Sequence, residues 1–105
     1  MKIVNRGYIS VKPLKPFIDW VNKIEDEFYI DENTEPNVYL IDEDFFDAAP
    51  VLEANFKKIF RNELIAISED EENYPEISLV NFNSWFKAEV GSSVFDCDSR
   101  GIQTV

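Results

Sequence analysis

Histidine is missing from this 105-residue chain, cysteine occurs once and glycine only three times. Without histidine there is no Ser-His-Asp arrangement, no usual general base and no nitrogen ligand for a metal. The single Cys97 leaves no partner for an internal disulfide. Its neighbours Asp96 and Asp98 are acidic, which makes it a poor nucleophile, and it is expected as a small core residue near the chain end. The three glycines (Gly7, Gly91, Gly101) sit in neither a Gly-x-Ser-x-Gly nor a phosphate-cradling pattern. No apolar run approaches the roughly 20 residues of a membrane helix, and Met1–Gly7 has none of the apolar character of a signal peptide. The cytoplasm is the expected compartment, and nothing in the sequence requires a cofactor.

Bases are scarce, 10 against 21 acids, for a net charge of −11. They are also unevenly placed. Residues 1–23 carry five bases and one acid, whereas residues 25–47 carry ten acids and no base. Such a body repels phosphate backbones and anionic lipid, which disfavours nucleic acid and membrane and favours a basic protein partner. The chain is nevertheless 45% hydrophobic, with nine Phe, four Tyr and two Trp, so it has the side chains to fill a core and is too apolar for disorder.

The pattern reads as a single α/β domain over 1–98 with a flexible tail over 99–105, in the order β-α-β-α-α-β. Lys2–Lys12 alternates at period two, with Ile3, Ile9 and Val11 on the buried parity, and Pro13 stops the strand. Phe17, Trp20, Val21, Ile24 and Phe28 repeat at helical spacing over 15–28, and Pro16 suits the first turn. Val38–Asp42 is a second strand whose two faces are both apolar. Leu52, Phe56, Ile59, Phe60, Leu64 and Ile67 form the stripe of a helix over 50–68. A third helix is predicted from an N-cap at Ser78 to Val90, stopped by Gly91, and a last strand over 93–98. The expected architecture is a two-layer sandwich: a three-stranded mixed sheet with its first two strands in a right-handed parallel crossover, and helices on one face.

That arrangement leaves one sheet face open, and Arg6, Tyr8, Tyr39, Ile41 and Val94 are the residues expected on it. Aromatics and Arg are enriched at interfaces, and a three-stranded sheet has two free edges. Stacking of single-stranded bases on Tyr8 is disfavoured by the acidic body and by the lack of RNP-like patterns. Asp42, Asp44 and Asp47, at the end of the second strand, are weak candidates for holding a metal. Asp31–Glu35 has acids at calcium-loop spacing but lacks the central glycine, and Asp42 stands at the twelfth position.

The stretches Arg6–Val11, Val38–Phe46, Trp85-Phe86 and Val94–Asp96 resemble those of small acidic bacterial proteins that carry no assigned function. The resemblance implies a bacterial cytoplasmic protein and transfers no site residue. Three functions are therefore weighed: a homodimeric protein-interaction module working through the open face or edge; an acidic inhibitor, immunity or mimic protein covering a basic partner; and a carboxylate-metal enzyme centred on Asp42, Asp44 and Asp47.

Overall fold

The structure, a computed structural model, describes every residue except Phe28. The described residues form a mixed α+β fold with three α-helices, a short 3-10 turn at Glu71–Asn73 and two small antiparallel sheets. The first predicted strand is broken in two: β1 (Lys2–Val4) and β2 (Gly7–Pro13). The break at Asn5–Arg6 separates two partnerships. β1 pairs with β5 (Val94–Asp96), Ile3 opposite Phe95, while β2 is the central strand of the larger sheet. In β2 the alternation is as strict as the sequence demands: Gly7, Ile9, Val11 and Pro13 are buried and the residues between them are half-exposed. Pro13, which has no N–H to donate, is the last residue of the strand.

Helix α1 (Lys15–Ile24) ends four residues early. Glu25, Asp26 and Glu27 follow it, and negative charge opposes the dipole at a helix C-terminus. The predicted apolar position Phe28 lies outside the described residues. Asn22 then folds the chain back, donating to the Ile30 carbonyl at 2.9 Å and accepting from the Ile30 N–H at 3.1 Å.

The expected parallel crossover does not form. β3 (Asn37–Ile41) runs antiparallel to β2, with Asn37 opposite Val11 and Ile41 opposite Gly7. The reason is the segment between α1 and β3. Lys12 Nζ donates to the Thr34 carbonyl at 2.9 Å, so the loop has already returned to the end of β2 before β3 begins, and the strand can only run back.

Helix α2 (Ala48–Ile65) has Pro50 in its first turn, and Asp47 stands at the N-cap position without a side-chain capping bond. Helix α3 (Leu79–Trp85) is capped as expected, Ser78 Oγ accepting from the Asn81 N–H at 3.2 Å. It is shorter than predicted, because the chain passes directly into a strand, β4 (Phe86–Gly91). β4 pairs antiparallel with β2 from Pro13↔Phe86 to Tyr8↔Gly91. Gly91 is therefore a strand residue and no helix stop; none of the glycines has positive φ. With β3 and β4 flanking β2, the larger sheet is wholly antiparallel rather than mixed.

The core forms on one side of that sheet. Ile9 and Val11 of β2 and Phe86 of β4 meet Phe17 and Val21 of α1, Phe56, Ile59, Phe60 and Leu64 of α2, and Phe82 of α3. Among the described residues no helix is long and apolar enough to cross a membrane.

Gly7 sits where backbone approaches backbone in this sheet. A Cβ there would stand 2.8 Å from the Gly91 carbonyl oxygen and 3.1 Å from Phe45 Cε1. Backbone cannot give way as a side-chain tip can, so Gly7→Ala is expected to lower stability by about 1–3 kcal/mol. A urea midpoint equal to that of the parent chain would show that the strands separate freely.

Candidate interaction surface

Register decides which side chains the sheet presents away from the core. Ile9 is buried and faces Tyr39, and Gly7 faces Ile41, so Tyr39 and Ile41 share the core side. This corrects the expectation that those two residues mark the open face. The outward residues of β3 are Val38 and Leu40, 61% and 48% exposed, which the two-sided apolar pattern could not distinguish. Beside them the outer face carries Tyr8, Ser10 and Lys12 of β2 and Lys87, Glu89 and Gly91 of β4.

Tyr8 does not project from this face. Its ring lies across Gly91, in the space a Cβ would take, and it is half-buried. The glycine admits the aromatic of the neighbouring strand, a cross-strand pairing that compensates for the missing side chain. Val94 is half-buried in the β1–β5 ribbon opposite Val4. In the same ribbon Ile3 (78%) and Phe95 (56%) face each other and are exposed.

Arg6 is exposed, and its Nη1 donates to the carbonyl of Asn5 at 2.7 Å and to Asn5 Oδ1 at 3.0 Å. No carboxylate among the described residues pairs with it. Lys2 takes Asp96 at 3.7 Å, and Asp98 is taken by Arg100 at 2.7 Å. That contact with Arg100 holds the Asp98 carboxyl below the usual carboxylate range. Arg6 borders a groove of about 540 Å³ whose lining includes Lys2, Ile3, Val4, Leu40 and Ile102. The groove thus joins Ile3 and Val4 of the ribbon to Leu40 of β3, beside Arg6 and the Lys2–Asp96 pair.

The acidic candidates do not converge. Asp42 Oδ1 accepts from the Asp44 N–H at 2.8 Å in a local turn, and Asp47 lies at the start of α2. Among the described residues no three His, Cys, Asp or Glu side chains gather where one ion could be held. Phe45 is half-buried against Gly7, while Phe46 is fully exposed among these acids. Cys97, expected in the core, is exposed, because it lies just past β5.

A polar cluster gathers on the buried carboxylate of Glu63. Glu63 of α2 is only 5% exposed, and its Oε2 accepts from Asn37 Nδ2 at 2.8 Å and from the Tyr39 hydroxyl. Asn62 Nδ2 donates to that hydroxyl oxygen at 3.0 Å. Burial and the adjoining Glu63 carboxyl push the Tyr39 phenol above its ordinary range. The cluster ties β3 to α2. Glu63 occupies an apolar-stripe position, three residues after Phe60, and a carboxyl at such a position is the signal that donors must await it.

Comparison with known protein families, curated proteins and solved structures finds no match for the chain.

Proposed function

We propose that the chain is a cytoplasmic protein-interaction module that pairs with a second copy of itself through the outer face of its three-stranded sheet. The observation that carries this is the asymmetry of the two edge strands. The outward residues of β4 include Lys87 and Glu89, the charges with which edge strands resist association. Those of β3 are Val38 and Leu40, exposed and without a charge between them, and Leu40 shares a groove with the exposed Ile3 of the ribbon. The reading takes the molecule as two layers, and the burial of Ile9 and Val11 against residues of all three helices supports it. Covering an apolar patch of this kind gives the usual driving force for association.

Val38→Lys is the direct test. Val38 lies outside the core, so the melting temperature is expected to stay within about 2 °C of the parent, since surface changes cost little. The dimer dissociation constant, read by sedimentation velocity, is expected to rise at least about tenfold, because a charge would be desolvated in the interface. A parent chain that sediments as a monomer at millimolar concentration would end this reading.

A second reading has its own support. Among the described residues, none of the acids over 25–76 makes an ion pair. A predominantly negative field, with only Lys57, Lys58 and Arg61 against it over that range, suits the covering of a basic protein, as an inhibitor or mimic does, and such binding weakens as salt rises. Failure of the chain to bind an immobilised basic protein at low salt would count against it.

A further inference from the structure

We infer that the Asp42–Asp47 loop of one copy seats its Phe46 in the Arg6 groove of a second copy, and receives that copy's Phe46 in return. The inference rests on the self-pairing proposed above and names the contact that makes it specific. Phe46 is a fully exposed aromatic side chain, flanked by Asp42, Glu43, Asp44 and Asp47, and no base among the described residues pairs with any of these acids. The groove has the opposite character. Ile3, Val4, Leu40 and Ile102 offer apolar surface, the Asp96 carboxylate that also lines it is taken by Lys2, and Arg6 is an exposed guanidinium with no carboxylate partner among the described residues. Its volume of about 540 Å³ is ample for one phenyl ring.

Knob and groove also lie at the same end of the molecule. Ile41 is opposite Gly7, so the loop that follows β3 leaves beside Arg6, while Leu40 lines the groove itself. A loop and groove that adjoin but do not fill one another can be satisfied twice by a single two-fold axis, each copy giving what it takes. Carboxylates placed around an aromatic anchor would then meet Arg6 of the other copy, supplying charge complementarity at the rim of an apolar contact. A foreign acidic segment with an aromatic residue has the same chemistry, and the experiment separates it from a second copy.

Three full-length chains decide the matter: the parent, Phe46→Ala and Arg6→Glu. Both positions are exposed, so circular dichroism and thermal melts should match the parent. By sedimentation velocity each variant alone is expected to dimerise about 10- to 100-fold more weakly, because two identical contacts are lost together. Mixing the two variants should then restore association above either alone. The Arg6→Glu chain still offers Phe46, the Phe46→Ala chain still offers an intact groove, and one of the two contacts forms. A peptide spanning Ile41–Ala48 should also compete with the parent dimer.

A parent dimer that Phe46→Ala leaves unchanged overturns this contact while leaving self-pairing through the outer face in place. Weakened variants that gain nothing from mixing overturn the reciprocal exchange in the same way. A monomeric parent defeats the self-pairing itself; binding of the peptide to that monomer would then assign the groove to a foreign acidic segment.

Discussion

Phe60→Ala is expected to lose about 3–5 kcal/mol of stability, the usual cost of deleting a large buried aromatic side chain and leaving a cavity behind. Phe60 is fully buried, and its ring meets those of Phe82, Trp85 and Phe86 at centroid separations of 5.7, 5.8 and 5.6 Å. These neighbours come from α3 and from the start of β4, so one ring holds α2 against both. Collapse into the void is hard, because Phe82 and Phe86 also pack on each other at 5.4 Å and Phe17 backs Phe86 at 4.8 Å. For a domain of this size the whole margin is about 5–15 kcal/mol. A loss of this size corresponds to a fall in melting temperature of roughly 12–40 °C. Phe46→Ala is the control, since it deletes the same ring from an exposed position and should leave the melt unchanged. A Phe60→Ala chain melting within a few degrees of the parent would mean that the aromatic cluster is not the centre of the fold.

The elements that could be read from the sequence are those in which one period acts alone. Ile9 and Val11 alternate with polar residues, and Leu52, Phe56, Ile59, Phe60 and Leu64 repeat at helical spacing, so strand β2 and helix α2 were legible without partners. The third helix shows where that logic stops. Phe82, Trp85, Phe86 and Val90 fit a helical repeat, but Phe86, Ala88 and Val90 also alternate with Lys87, Glu89 and Gly91. The chain takes the second pattern because β2 supplies a strand edge to pair with, a tertiary fact outside the local sequence.

The direction of β3 and its outward face were illegible for related reasons. Direction depends on where Lys12 anchors the returning loop, and facing depends on the register opposite Ile9. A strand that is apolar on both sides carries no local record of either. The two-sided pattern therefore puts Tyr39 and Ile41 on the open face, where the register puts Val38 and Leu40.

Turned inward by its register, Tyr39 meets Glu63, and the pair carries the second large effect. Tyr39→Phe removes one of the two donors to a buried carboxyl oxygen, and a buried group left short of a partner costs about 1–3 kcal/mol. Glu63→Leu removes the acceptor and leaves the half-buried Tyr39 hydroxyl without it, whereas the exposed Asn37 amide can turn to water. If the contact is direct, the losses are not additive: in the Glu63→Leu background Tyr39→Phe should cost little, and the cycle should show a coupling of at least about 1 kcal/mol. Alkali gives an independent reading. Folding holds the Tyr39 proton more tightly than the unfolded chain, whose phenols ionise near pH 10. The stabilisation is therefore complete below that pH and declines as pH rises above it, when the unfolded state releases the proton first. Tyr74 shifts in the same direction through burial and the acids at Glu71, Glu69 and Asp70, so the difference between the parent and Tyr39→Phe is the quantity to follow. Urea midpoints measured between pH 9 and 12 should fall more steeply in the parent than in Tyr39→Phe. Parallel curves, or a variant as stable as the parent at neutral pH, would detach Tyr39 from Glu63.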